Sequence, residues 1–97
     1  MAELQAFNEH VLGRPGKVLV KFGAKWCGPC QQVAPILESL KEEGMDNIYD
    51  CDVDADQDAA VKYGIRGVPT YIVFENGVEV KRDSGMKSGP QIKALLD

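Results

Sequence analysis

The stretch Trp26-Cys27-Gly28-Pro29-Cys30 follows an apolar run, Val18-Leu19-Val20, and precedes residues with helical periodicity. An apolar stripe at helical spacing predicts a helix that begins between the two cysteines. Its members are Val33, Ile36, Leu37 and Leu40. Pro29 suits the first turn of that helix because proline lacks the N–H group that would go unpaired there. The stretch therefore predicts a buried strand, a turn that carries two cysteines, and a long helix.

The position of the two cysteines predicts a redox pair. Cys27 would lie at the N-terminus of the helix, where unpaired N–H groups and the helix dipole favour a thiolate over a thiol. Cys30 would lie one turn deeper, more shielded, and could attack a mixed disulfide from inside the protein. The local geometry therefore predicts a nucleophile and a resolving thiol.

Two other interpretations of the cysteine pair are weaker. A zinc site needs four ligands, and the remaining candidates, Cys51 and His10, lack the second paired spacing of a zinc module. A structural disulfide between near neighbours closes too small a loop to restrict the unfolded chain much. Redox chemistry without a bound metal is therefore the favoured interpretation.

Length and composition limit the class of protein. The 97 residues predict a single domain over residues 1–97, and the hydrophobic (44%) and charged (27%) fractions are ordinary for a soluble globular protein. A net charge of -4 without a basic cluster argues against nucleic acid and anionic membrane surfaces as partners. The sequence shows neither a membrane span nor a signal peptide, and its three cysteines do not suggest a disulfide-stapled secreted scaffold. We therefore expect a cytoplasmic protein.

Periodicity and punctuating glycines and prolines predict the order of the elements. The predicted elements are an opening helix with Leu4, Phe7, Val11 and Leu12 on one face, a strand over residues 17–23, the helix over 27–43, a strand over 48–54, a short helix over 59–63, a hairpin of strands over 70–75 and 78–81, and a closing helix from Ser88. The strand–helix–strand opening implies a right-handed parallel crossover, and the hairpin adds an antiparallel edge. The expected fold class is α/β, with a mixed sheet of about four strands and helices on both faces.

A second informative stretch is Ile65-Arg66-Gly67-Val68-Pro69-Thr70. A proline that enters a strand just after a glycine indicates a special backbone, and an X-Pro bond at such a turn is a candidate cis peptide. The alternative is an ordinary loop before an edge strand.

Three motifs in their order and spacing resemble the thioredoxin family. They are Trp26-Cys-Gly-Pro-Cys30, Lys62-Tyr-Gly-Ile-Arg-Gly-Val-Pro-Thr70 and Phe74-Glu-Asn-Gly77. The resemblance covers nearly the whole chain, although either of the first two motifs alone would also fit other thioredoxin-fold proteins, such as disulfide isomerase domains. It implies the three-layer thioredoxin fold. In a departure from the family pattern, the short N-terminus leaves little of the usual first strand, so we expect that strand to be short or absent.

The resemblance also implies an activity and its partners. Cys27 would attack a disulfide in a protein substrate, Cys30 would resolve the mixed disulfide, and a thioredoxin reductase would recycle the resulting Cys27–Cys30 disulfide. No bound cofactor is implied, and we expect a monomer. The Val68–Pro69 bond would be cis and would face the cysteines. The implied docking surface consists of Trp26, Gly28, Pro29, Ile65, Gly67, Val68, Pro69 and Gly85.

The chain departs from the family pattern beneath the cysteines. Lys21 stands where the family usually carries a buried aspartate, and Asp50 stands where it usually carries a lysine. A buried lysine without a partner is costly, so we predict that Lys21 and Asp50 meet, with Asp50 supplying the carboxylate for proton transfer at Cys30. The alternative is that Lys21 extends to solvent and Asp50 is a solvated strand end. Gly23 replaces a common aromatic residue, which predicts looser packing near the pair.

The remaining candidate residues are predicted to have structural roles, and two alternative functions stay open. Cys51 is predicted to be a small core residue, His10 a surface residue, and the carboxylates of residues 50–58 lack the spacing of a calcium loop. Two functions compete with a general disulfide reductase. One is a binding module whose cysteines only switch its affinity for a partner, and the other is a reductant specialised for one partner.

Overall fold

Four strands and three helices follow one another in residues 11–97, the part of the chain that the structure, a computed structural model, describes. They are β1 (Lys17–Gly23), α1 (Gly28–Glu42), β2 (Ile48–Asp52), α2 (Gln57–Lys62), β3 (Thr70–Glu75), β4 (Val78–Ser84) and α3 (Gly89–Leu95). The predicted opening helix, with Leu4 and Phe7, lies largely outside the described residues. The other seven predicted elements are found in the predicted order.

Three element boundaries differ from the sequence prediction by two residues or more. Strand β2 ends at Asp52, two residues early, because Asp52 Oδ1 accepts a hydrogen bond from the Asp54 N–H group (2.9 Å) and turns the chain. Helix α2 begins two residues early because Asp56 caps it, accepting the Ala59 N–H group at 3.1 Å. Strand β4 continues to Ser84 because pairing with β3 extends beyond the apolar pattern.

The four strands form one mixed sheet in the order β2-β1-β3-β4. Strand β1 pairs in parallel with β2, with Lys21 opposite Asp50, and antiparallel with β3, with Lys21 opposite Tyr71. Strand β3 pairs antiparallel with β4 at the edge. The mixed four-stranded sheet predicted from the sequence is confirmed, and its pairing brings Lys21 and Asp50 to adjacent positions.

Apolar side chains cover both faces of this sheet. One face packs against α1 and α3 through Leu19, Tyr71 and Val73. The opposite face, which includes Val20 and Phe22, packs against Val11 and against Ala59 of α2. Because successive side chains of β1 alternate between two covered faces, the run Val18-Leu19-Val20 is wholly buried, as its continuous apolar character predicts.

The bounds of helix α1 are set by residues at its two ends. Cys27 is the N-cap residue, and its Sγ atom accepts a hydrogen bond from the Cys30 N–H group at 3.2 Å. Pro29 lies in the first turn, where its missing N–H group costs nothing. The helix ends at Glu42, and Gly44 follows the C-cap with a φ of +104°, a conformation that favours glycine. These contacts hold the N-terminus of α1 directly after β1.

Candidate active site

The cysteine pair lies at the carboxyl end of β1, where the chain turns into α1. The Sγ atoms of Cys27 and Cys30 lie at disulfide distance, and their Cα atoms are 5.2 Å apart. Both residues are buried in a small cluster with Ala24, against which Val68 packs. The pair is therefore in its oxidised form, on a helix N-terminus whose N–H groups would stabilise a thiolate on Cys27 after reduction.

A second loop faces Cys27. The Val68–Pro69 peptide bond is cis, the form implied by the resemblance, and Val68 O lies 3.6 Å from Cys27 Sγ. Thr70 Oγ1 donates a hydrogen bond to Gly67 O at 2.6 Å, and the Gly85 N–H group donates to Pro69 O at 3.0 Å. The first bond lies within the loop of residues 65–70, the proline loop, and the second joins this loop to Gly85, the residue after β4.

The residues of the implied docking surface fall into two groups around the pair. Trp26, Gly28 and Pro29 are exposed on the side of the cysteine turn. The other five line a groove of about 610 Å³ between the proline loop and β4, together with charged residues such as Arg66 and Asp83. These five are Ile65, Gly67, Val68, Pro69 and Gly85. The two groups flank the disulfide.

Trp26 has a partner that sequence reasoning missed. Its indole Nε1–H donates a hydrogen bond of 2.8 Å to Asp54 Oδ2. Among the carboxylates of residues 50–58, sequence reasoning assigned Asp54 no functional role, and the only available signal was its place directly after a buried strand. Asp54 orients the indole ring next to the cysteines.

Lys21 and Asp50 meet beneath the cysteines, as the sequence predicts. Lys21 is only 8% exposed, so it does not extend to solvent, and its Nζ atom lies 3.8 Å from Asp50 Oδ1. Asp50, with its side chain 44% exposed, lies closer to Lys41 of α1, whose Nζ atom is 2.9 Å from Asp50 Oδ2. Burial lowers the pKa of Lys41, but the hydrogen bond to Asp50 and the charges of Asp50 and Glu38 outweigh it, so that pKa is raised. The structure thus adds a third member, Lys41, to the predicted pair.

A cleft of about 240 Å³ connects these charges with the buried cysteine. Its lining residues are Lys21, Gly23, Ala24, Lys25, Cys30, Gln31, Ala34, Asp50, Cys51 and Asp52. The cleft lies on the side of Cys30 away from the proline loop. Cys30 and Asp50 therefore line one shared cleft beneath the disulfide.

The remaining candidate residues take no direct part in this site. Cys51 is buried and free, and burial, with the charges of Asp56, Asp52 and Asp50, raises its pKa to about 12. A thiol of that pKa is not a thiolate at neutral pH, in agreement with a core residue. His10 lies outside the described residues. Across residues 11–97 no group of three or more His, Cys, Asp or Glu residues could hold a metal ion.

No helix within residues 11–97 is both long and apolar enough to cross a membrane.

Comparison with known proteins agrees with this geometry. The thioredoxin family model matches residues 1–97. The chain is 37% identical over 94 residues to the thioredoxin of Pseudomonas aeruginosa, covering 95% of this chain and 87% of that protein. It is 40% identical over 84 residues to the thioredoxin of Bacillus subtilis, covering 84% and 81%, and 43% identical over 86 residues to that of Mycolicibacterium smegmatis, covering 84% and 77%. The chain therefore belongs to the thioredoxin family of protein-disulfide oxidoreductases.

Proposed function

We propose that, within this thiol–disulfide reductase activity, Cys27 is the attacking thiolate and Cys30 the resolving thiol. The observation that carries the proposal is the position of Cys27 as the N-cap of α1. There its Sγ atom accepts the Cys30 N–H group and lies at disulfide distance from the Cys30 sulfur. A sulfur in that position is stabilised as a thiolate once the disulfide is reduced.

The reaction then proceeds in two balanced exchanges. The Cys27 thiolate attacks one sulfur of a substrate disulfide, forms a mixed disulfide and releases the other substrate sulfur as a thiolate. The Cys30 thiolate attacks Cys27 Sγ, forms the Cys27–Cys30 bond and expels the second substrate thiolate. The substrate gains two electrons and the protein loses them. A thioredoxin reductase then returns the electrons to the pair.

The substrate would bind as an extended segment across the proline loop. Val68 O lies 3.6 Å from Cys27 Sγ, so backbone groups of Val68 are within reach of a chain whose disulfide contacts Cys27. The exposed indole of Trp26 and the groove beside Pro69 supply apolar surface on either side. Backbone pairing with loosely held side chains would suit many protein disulfides.

The charged pair beneath the site would serve the resolving thiol. Asp50 lines the same cleft as Cys30, and its carboxylate is the proposed acceptor for the proton that Cys30 loses. Asp50 forms ion pairs with Lys21 and Lys41, so it would accept the proton across the cleft rather than in direct contact with the sulfur.

The proposal includes a cellular setting. The protein would act as a monomeric single domain over residues 1–97, in a reducing cytoplasm, with no bound cofactor. A buried free thiol at Cys51 and a redox pair with no further disulfide among residues 11–97 fit such a compartment.

The experiment that tests these roles is reduction of a protein disulfide by the pre-reduced chain. Cys27→Ser should abolish the reaction, whereas Cys30→Ser should accumulate one mixed disulfide with the substrate through Cys27 and stop there. Cys51→Ala is the matched control and should react like the unmodified chain. Reduction by the Cys27→Ser variant would overturn the assignment, and so would the absence of a trapped substrate with Cys30→Ser.

A further inference from the structure

Lys21 and Gly23 lie two residues apart on β1, so they point to the same face of the sheet. A Cβ atom on Gly23 would lie 3.0 Å from Lys21 Cε, 3.1 Å from Lys21 Nζ and 3.3 Å from Cys30 Sγ. The ammonium group and the sulfur therefore flank one small space, and that space is empty only because residue 23 is glycine. A Cβ atom at position 23 would therefore push the flexible end of Lys21 away by at least a few tenths of an ångström.

We propose that Gly23 admits the Lys21 ammonium group to the side of Cys30, where its charge stabilises the Cys30 thiolate of the reduced protein. The inference rests on the proposed role of Cys30 as the resolving thiol. Gly23 acts as a positioning residue, and Lys21 as the electrostatic group. The two departures from the family pattern at positions 21 and 23 are thus one coupled feature.

The other charged groups around Cys30 do not fully neutralise the positive charge of Lys21. Strand β2 contributes Asp50, Asp52 and the neutral thiol of Cys51 to the cleft, and the turn before α1 contributes the exposed Lys25. Asp50 lies 3.8 Å from Lys21 and 2.9 Å from Lys41 of α1, so its carboxylate is held more closely by Lys41. From the proline loop, Val68 O faces Cys27 Sγ, and from α1 the uncharged Gln31 lines the cleft.

The Lys21 charge would act in the second exchange, in which Cys30 attacks the mixed disulfide at Cys27. A cation within a few ångströms lowers the pKa of a thiol because it stabilises the charged form. Cys30 would then be ionised when the mixed disulfide forms, its proton having already passed across the cleft to the Asp50 carboxylate. It could attack Cys27 Sγ and expel the substrate thiolate without a simultaneous proton transfer.

The test is a titration of Cys30 in a Cys27→Ser background, followed by the ultraviolet absorbance of the thiolate. Cys51 does not interfere, because its pKa is about 12. Lys21→Met should raise the Cys30 pKa by about one unit or more, and Lys21→Arg should restore much of the lowering. Gly23→Ala should raise it by a smaller amount, since the new methyl group pushes the ammonium group away from its position beside Cys30. Lys25→Met, which removes an exposed lysine of the same cleft, is the matched control and should change the pKa little.

The double variant decides between this coupling and a simple packing effect. If Gly23 acts through Lys21, adding Gly23→Ala to Lys21→Met produces no further shift in the Cys30 pKa. Additive shifts would overturn the positioning role of Gly23, and an unchanged pKa in Lys21→Met would overturn the whole inference. The titration does not require the protein to reduce a substrate. Failure of the unmodified chain to reduce protein disulfides would therefore reject the proposed function without changing the measured effect of Lys21 and Gly23 on the Cys30 pKa.

Discussion

The Trp26 indole donates its N–H group to Asp54 Oδ2 at 2.8 Å, although Trp26 remains 70% exposed. An exposed aromatic side chain held by a single hydrogen bond presents apolar surface in a defined orientation. The contact joins the cysteine turn before α1 to the loop after β2, so both loops shape the surface beside the disulfide.

Removing this hydrogen bond should weaken substrate reduction. For Asp54→Ala we expect kcat/KM with a protein disulfide to fall about fivefold, which corresponds to about 1 kcal/mol, and the tryptophan fluorescence anisotropy to decrease. Asp54→Asn keeps an acceptor oxygen and serves as the control. Equal activity of Asp54→Ala and the unmodified chain would show that the orientation of Trp26 does not matter.

Loss of the Asp50 carboxylate should slow reduction near neutral pH. If Asp50 accepts the Cys30 proton, Asp50→Ala should lower the rate about tenfold or more at neutral pH, with recovery in alkaline solution, where Cys30 ionises without help. Glu38→Ala is the matched control, since Glu38 contacts Lys41 at 3.5 Å but does not line the cleft. An unchanged pH profile would reject the proton-acceptor role. A faster rate would mean that Asp50 only offsets the charge of Lys21.

Removing the hydroxyl group of Tyr71 should stabilise the folded protein. Its ring is buried between the sheet and the helices on the α1 face, and its OH group is buried without a hydrogen-bond partner. A buried unpaired hydroxyl is costly, so Tyr71→Phe should raise the free energy of unfolding by about 1 kcal/mol in urea denaturation. Tyr49→Phe, on the opposite sheet face, provides a comparison at a half-buried tyrosine. A less stable Tyr71→Phe variant would indicate that the hydroxyl has a stabilising contact.

Alkaline solution should destabilise the fold through Cys51. Burial and nearby aspartates raise the pKa of this thiol from 9.0 to about 12, so the folded chain keeps a proton that the unfolded chain loses. The corresponding stability is fully present below pH 9 and is lost as the pH rises towards 12. In urea denaturation of the oxidised protein, Cys51→Ala should therefore lose less stability than the unmodified chain over this interval. Parallel pH curves for the two proteins would contradict this account.

Local sequence was sufficient for most of the fold. The apolar run at Val18 to Val20, the stripe along α1, Pro29 at its start and Gly44 after its end each act within a few residues. The boundaries of β1 and α1 were predictable for that reason. The ends of β2 and β4 were predicted less well, because an aspartate turn ends one strand and pairing with β3 extends the other.

The site divides in the same way. The sequence by itself determined the cysteine pair and its place at a helix N-terminus, because residue type and spacing carry those features, and its resemblance to the thioredoxin family implied the candidate docking residues. Only the tertiary structure decided that Asp50 pairs with Lys41 as well as Lys21, that Asp54 holds Trp26, and that the end of Lys21 lies against the space left by Gly23. The physical reason is that such contacts depend on the register of β1 with β2, on the packing of α1 over the sheet, and on the position that the Lys21 side chain takes beside Gly23.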